Sequence, residues 1–516
     1  MMAHSPTPQA DILAFLADPA NHDGQAVTRV DTHAAAVFLA GSRALKIKRA
    51  VRFPFLDYST LEKRKAACEA ELAINRRFAP EIYRRVVAIT QTAAGTFAIG
   101  GDGVVVEWAL EMRRFDETAT LDHLADKGKI DLALADTLGR VVAAAHDAAP
   151  EVDAKLWIEA LGSYIAQNDS AFAEYPDLFP ASDAELLNQA SHRAFAKLQP
   201  LLHRRGAEGL IRHAHGDLHL GNIVLVDSKP VLFDAVEFDP VVASGDVLYD
   251  LAFVLMDLVE RGLSAAANAL FNRYLVETAR DSDLDALAAL PLFLSMRAAI
   301  RCKVTAARLA DAGSGKSAAI RDAARKYFDL ARQLIAPRPP HLIAVGGLSG
   351  TGKSVLARAL APAVGPVPGA VVLRSDVMRK RFFNRAETEK LPQEAYAPEV
   401  TERLYRLLAD KAARVIAAGH SAIVDAVFAR REEREALADV ARSKNIRFAG
   451  LFLTADLATR VSRIGGRVGD ASDADAEVAR RQEQYDLGAL DWVPADASGT
   501  PEQTLARAQA AIGQSP

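Results

Sequence analysis

Cysteine is nearly missing from this chain: Cys68 and Cys302 are the two among 516 residues. Two thiols so far apart speak against a disulfide framework and suit a reducing compartment. No charge of one sign dominates. The formal net charge is −4, so no global basic field points to nucleic acid or an anionic membrane. No apolar run reaches the ~18 residues of a membrane span; Leu248–Val259 is broken by Asp250 and Asp257. Internal repeats and low-complexity tracts are missing too. The opening Met-Met-Ala-His-Ser-Pro has no basic segment followed by an apolar core, so no signal peptide is expected and the cytoplasm is the expected location. A small-molecule partner is expected, with no membrane and no nucleic acid; the oligomeric state stays open.

What is present starts with length. A chain of 516 residues is too long for one typical core, so at least two domains are expected. The clearest divider is Ala336-Pro-Arg-Pro-Pro340, whose prolines cannot continue a helix and favour a stiff spacer. Residues 1–335 and 341–516 are therefore the expected domains, with few contacts crossing the 336–340 linker. Strand-like pieces open the first domain, with a β-rich lobe over about 25–110. Val37–Lys48 reads as a hairpin turning at Gly41-Ser42, and Leu61–Phe78 as an amphipathic helix. Helices dominate a second lobe over 111–335, except for strands Ile223–Val226 and Val231–Asp234 joined by Asp227-Ser-Lys-Pro230.

Residues 347–354, Gly-Leu-Ser-Gly-Thr-Gly-Lys-Ser, complete a G-x-x-x-x-G-K-[ST] pattern. His341–Val345 before it suits a buried strand, and Val355–Leu360 after it suits a helix. That order aims backbone N–H groups and a helix N-terminus at a phosphate chain. Gly347, Ser349, Gly350, Thr351 and Gly352 would form the cradle. Lys353 would reach the outer phosphates of ATP, and Ser354 would ligate Mg²⁺. Further on, Ala370–Leu373 reads as a strand ending in Arg374-Ser-Asp376. Asp376 would activate an acceptor hydroxyl, with Arg379 on an anionic group; alternatively Ser375 or Asp376 caps a helix. Ser421–Asp425 is another strand ending in a carboxylate, Asp425, either a metal ligand or a cap. Arg460, Arg463 and Arg467 form either a phosphate-closing cluster, with Arg463 and Arg467 on ATP, or a solvated face. Asp470-Ala-Ser-Asp473 would cap the following helix.

The densest chemistry of the first domain is His215-Gly-Asp-Leu-His-Leu-Gly-Asn222 followed by Asp234. Phosphoryl transfer needs a carboxylate near the acceptor and oxygen ligands for Mg²⁺. Asp217 would orient or deprotonate the acceptor, and Asn222 and Asp234 would hold metal. A polar helix-capping loop is the competing reading. Such a site also needs a strand lysine and a helix glutamate. Lys46 is preferred over Lys48, and Glu71, on the less charged helix face, over Glu69. Backbone of Glu107–Leu110 would serve as the hinge that pairs with adenine. Glu237 and Asp239 would assist the metal or cap a turn.

With His215-Gly-Asp217, Asn222, Asp234 and Gly245–Ala252, residues 25–335 resemble the aminoglycoside phosphotransferase-like branch of the protein-kinase-like superfamily. Val51–Leu61 and Cys68–Glu71 resemble a subgroup fused to a C-terminal P-loop kinase-like domain. Residues 341–516 resemble small P-loop kinases of the gluconate kinase, zeta-toxin and polynucleotide-kinase-like group. The resemblance implies an α+β two-lobed kinase-like fold, then an α/β P-loop fold with a parallel sheet. It also implies ATP-dependent O-phosphorylation with Mg²⁺. Two rivals remain: a regulatory NTP-binding protein whose first domain senses a ligand, and a nucleic-acid end kinase.

Overall fold

A computed structural model describes residues 9–53, 56–237, 239, 241–310, 314–466 and 469–514. Its internal contacts define two compact units: Met1–Leu161 with Leu202–Asp257, and Gly162–Leu201 with Leu258–Pro516.

The first unit opens on β1 (Val27–Asp31), β2 (Ala35–Ala40) and β3 (Arg43–Lys48). After the two-residue strands β4 (Arg52–Phe53) and β5 (Leu56–Asp57) come the helix Leu61–Asn75 and strands β6 (Tyr83–Gln91), β7 (Phe97–Ile99) and β8 (Val104–Arg113). They form a sheet in the order β1-β2-β3-β8-β6-β7. Alternation explains its packing: Phe38, Leu45, Ile47, Ile89 and Ala109 share one buried cluster with Ile12 and Leu16 of the helix Gln9–Ala17. The β2–β3 turn falls at Gly41, whose φ of +53° suits glycine. Past β9 (Ile211–His213), strands β10 (Ile223–Val226) and β11 (Lys229–Leu232) form a hairpin. Its turn is two residues, Asp227 and Ser228, both left-handed. The second strand therefore starts at Lys229, earlier than expected, and ends before Asp234. β12 (Ser244–Asp246) pairs with β9.

The second unit contains a parallel sheet ordered β14-β15-β13-β16-β17. Its strands are β13 (His341–Gly347), β14 (Val371–Arg374), β15 (Ala422–Asp425), β16 (Arg447–Thr454) and β17 (Val493–Asp496). Ile343, Val345, Ile423, Leu451 and Leu453 pack on Leu356 and Leu360 of the helix Lys353–Leu360. Strands buried on both faces read as continuous apolar runs, which is why β13, β14 and β15 were legible.

The expectation of few contacts across 336–340 needs correction. The helix Ser264–Thr278 lies along the edge strand β14. Asn272 Oδ1 accepts from Val372 N at 2.7 Å, and both Asn268 and Asn272 donate to Ala370 O at 3.1 Å. Arg273 pairs with Glu387 at 2.6 Å, Arg414 with Asp285 at 2.8 Å, and Lys411 with Asp281. A proline spacer interrupts the chain there, but an open sheet edge needs hydrogen-bond partners and this helix supplies them. A fragment starting at His341 is therefore expected to melt below the full chain and to self-associate. One starting at Gly262 keeps the helix along β14 and should self-associate less than the fragment from His341. Calorimetric melting and gel filtration of both check this; equal behaviour would remove the clamp argument.

Candidate active sites

The first site gathers at the end of β3. Lys46 Nζ donates to Glu71 Oε1 at 2.7 Å and to Asp234 Oδ1 at 2.8 Å, across 188 positions of sequence. Glu71, not Glu69, faces inward and is fully buried. Lys48 also reaches Glu71, with Nζ 2.6 Å from Oε2, and hydrogen-bonds Glu237 Oε1 at 2.5 Å. Burial alone would lower the Lys46 pKa, but Asp234 and Glu71 outweigh it and hold it well above its ordinary value. Lys46 in turn holds the Asp234 carboxyl below the usual range. Asp234 has φ +60°, and its N–H donates to the Tyr83 hydroxyl at 3.1 Å. Strain kept at such a position is consistent with a functional carboxylate.

Asp217 and Asn222 lie together on the loop before β10. Asn222 Nδ2 donates to Asp217 O at 3.0 Å and to Asp217 Oδ2 at 3.1 Å. The amide oxygen of Asn222 is then the atom left for a cation. His219 and Asp217 are 3.5 Å apart, and His219 Nδ1 accepts from Gly221 N at 3.0 Å. His215 is buried, which lowers its pKa, and Nε2 meets Phe233 O at 2.9 Å. Two residues that the sequence reading used as breaks in an apolar run, Asp250 also lying within the Gly245–Ala252 match, brace this loop. Asp250 accepts from the N–H of His215 at 3.2 Å and of Gly216 at 2.9 Å. Asp257 accepts from Leu220 N at 2.9 Å. Acids inside an otherwise apolar helix were the available signal, because a buried carboxylate needs donors.

Two expectations fail here. Glu107–Leu110 is no hinge: it lies inside β8, paired with β3 and β6, and Glu107 is buried against Arg64 at 2.8 Å. Strand pairing occupies Ala109 and Leu110 on both sides, and the Trp108 N–H donates to Glu107 Oε1 at 3.0 Å. Glu237 is committed to Lys48 and to the Tyr58 hydroxyl at 3.1 Å. Asp239 accepts from Val241 N at 2.8 Å and so caps its own turn.

The second site is a cavity of about 1510 Å³ at the C-terminal ends of the parallel strands, lined by residues 349–356, Asp376, Arg463, Asp470 and others. Gly347, Gly350 and Gly352 have φ of +138°, +88° and +92°. A Cβ on Gly350 would lie 2.6 Å from Arg460 O, so glycine is required there. Gln482 Oε1 holds Ser349 N at 2.7 Å, and Lys353 Nζ donates to Leu348 O at 3.1 Å. Ser354 Oγ donates to Asp425 Oδ2 at 2.5 Å. A hydroxyl beside a carboxylate is an oxygen donor set suited to Mg²⁺. Arg374 bridges them, 3.2 Å from Ser354 Oγ and 3.3 Å from Asp425 Oδ2, and reaches Asp470 at 2.9 Å.

Neither capping alternative is realised for the strand-end acids. No side-chain cap opens the helix Ser375–Phe382, and the helix after Asp425 starts at Arg431. Several basic and acidic groups are held in ways the sequence did not indicate, Arg379 among them although it lines the cavity. Arg379 is buried, donating to Ala395 O at 2.6 Å. Arg460 is buried too, donating to Ser349 O at 2.8 Å, so it supports the glycine loop from behind instead of closing over it. Asp475, not Asp470 or Asp473, caps the helix Ala476–Gln482; Asp473 binds Lys380, Leu391 N and Tyr396. Arg463 Nη2 donates to Gly499 O at 2.9 Å and lines the cavity. Arg467 lies outside the described residues.

Burial, then the charge of Asp425, raises the Asp376 pKa above its ordinary value. A raised folded-state pKa gives stability that is present at low pH and lost as pH rises through that pKa. Asp376→Asn should therefore raise the melting temperature at pH 7, with the gain shrinking at pH 4. Scanning calorimetry at both pH values checks this; a lower melting temperature at pH 7 would contradict it.

Residues 43–290 match the family model described as the phosphotransferase enzyme family, and residues 342–486 match the model of an AAA domain. The chain thus carries, in this order, a segment similar to the phosphotransferase enzyme family and a segment similar to an AAA domain. An uncharacterized protein of Mycobacterium tuberculosis (strain ATCC 25618 / H37Rv) is 29% identical over 472 residues, covering 89% of this chain and 90% of that protein. Solved structures similar to parts of the chain include a choline/ethanolamine kinase family protein from Mesorhizobium loti. It has 15% identity over 63% of this chain and 99% of that chain, with a TM-score of 0.35. A gluconokinase from Sinorhizobium meliloti 1021 has 20% identity over 34% of this chain and 94% of that chain, with a TM-score of 0.26. Among the described residues no helix is long and apolar enough to cross a membrane.

Proposed function

We propose that the chain is a cytoplasmic two-site kinase, residues 1–335 and 341–516 each passing the γ-phosphoryl of ATP to a hydroxyl of a small molecule. The observation that carries this is Lys46 held between Glu71 and Asp234, with Asp217 and Asn222 joined on the facing loop. In the first site Lys46 exchanges Asp234 for a phosphate oxygen. Asn222 and Asp234 would hold Mg²⁺, which would supply positive charge beside the phosphates. Asp217 accepts the proton of the acceptor hydroxyl as its oxygen bonds to phosphorus and the bond to the ADP oxygen breaks. In the second site the backbone from Gly347 to Ser354 cradles the phosphates and Lys353 contacts the outer ones. Ser354 and Asp425 would hold the metal, and Asp376 takes the acceptor proton. Arg463 and Arg467 contact ATP. Catalysis at both sites is mainly positioning and charge stabilisation.

The test is transfer from γ-labelled ATP into a metabolite extract by the full chain. Labelled products lost with Asp217→Asn together with others lost with Lys353→Ala support two working sites. ATP binding with no labelled product of any kind would favour a regulatory nucleotide-binding protein.

A further inference from the structure

Glu71 is the one carboxylate of the first site that meets two lysines. It is 0% exposed, and each of its oxygens has its own cation: Oε1 has Lys46 at 2.7 Å and Oε2 has Lys48 at 2.6 Å. The two lysines differ in where else they are committed. Lys46 shares its proton donors with Asp234, whose side chain is 46% exposed. Lys48 is 3% exposed, hydrogen-bonds Glu237 at 2.5 Å and sits 5.4 Å from the centre of the Tyr58 ring. Tyr58 in turn donates to Glu237 at 3.1 Å. One lysine thus faces the exposed acid, and the other is fixed behind it on the same face of β3.

A phosphate-binding lysine must leave or share its carboxylates when a nucleotide arrives. A buried carboxylate deprived of its cation is strongly disfavoured. If Lys46 were the sole partner of Glu71, each movement toward phosphate would expose that penalty. We infer that Lys48 is a positioning residue of the first site: it keeps Glu71 neutralised while Lys46 turns from Asp234 to the nucleotide phosphates, and Glu237 and Tyr58 hold it in place. The same contacts anchor Glu237, three residues after Asp234, so Lys48 also fixes the loop that carries this acid. The inference rests on the phosphotransferase reading of this site and adds a residue to it. Lys48 touches no reacting atom; its effect runs through Glu71, Lys46 and the loop of Asp234.

The experiment uses the full chain carrying Lys353→Ala, which removes a phosphate contact at the second site, and measures Mg²⁺·ATP and adenosine binding by calorimetry fitted with two sites. Adenosine lacks the phosphates that Lys46 would meet. Lys48→Met is expected to weaken ATP by at least tenfold while adenosine affinity stays within about twofold, on the scale of losing one charged contact. Lys48→Arg, which keeps the charge, should recover most of the ATP affinity. Glu237→Gln, which loosens Lys48 without removing it, should weaken ATP by a smaller factor and serves if Lys48→Met does not fold. Equal ATP affinity in parent and Lys48→Met, parallel loss of ATP and adenosine, or no recovery with arginine would each overturn the role of Lys48. If the Lys353→Ala parent binds neither ligand, the phosphotransferase reading of the first site fails, and the inference falls with it.

Discussion

Lys353→Ala is expected to lower ATP turnover at the second site by about 10²–10³-fold, the scale of removing one preorganised charge contact to a transferring group. The fold should survive. The ammonium makes a hydrogen bond to Leu348 O at 3.1 Å, and the left-handed glycines and Gln482 hold the loop without it. The measurement belongs in the full chain, because β14 depends on Asn268 and Asn272 from before the linker. An Asp217→Asn background leaves the second site as the source of turnover. Unchanged turnover with an unchanged melting temperature would remove the phosphate-loop assignment.

At the first site, Asp217→Asn is expected to lower phosphoryl transfer by about 10²–10⁴-fold, the usual range for losing a general base. Nucleotide affinity should remain, because Asp217 contacts Asn222 and His219 and not Lys46. Asp234→Ala should behave differently in kind. It removes an oxygen ligand for the metal and one of the two carboxylates on Lys46, so Mg²⁺·ATP binding itself should weaken. Titration calorimetry in a Lys353→Ala background separates the two. If Asp217→Asn loses ATP and Asp234→Ala keeps it, the two roles are exchanged.

How much of this was legible in sequence follows from how local each constraint is. The glycine loop was legible because its demands are consecutive: a buried strand, glycines at left-handed positions, then a helix start. The choice of Glu71 over Glu69 was legible because helical periodicity alone puts one carboxylate inward. The surroundings of Arg379, which lines the cavity, and of Arg460 were not legible because a sequence shows charge without burial. Both are buried on backbone carbonyls, where guanidinium donors satisfy acceptors that packing would leave unpaired. The hinge was misplaced because an apolar stretch such as Glu107–Leu110 does not show where a strand stops pairing.

The sequence by itself pointed to the two chemistries proposed above, through the spacing of Asp217, Asn222 and Asp234 and through the loop 347–354. The tertiary structure decided which side chains complete them. Lys48, Glu237 and Tyr58 meet at Glu71, and Asp250 braces the loop of Asp217, through contacts between residues far apart in the chain. It also decided that the proline segment is not where contacts end. Pairing across long separations depends on the closed fold satisfying buried charges and an open sheet edge, and no local pattern of residues records which partner will do so.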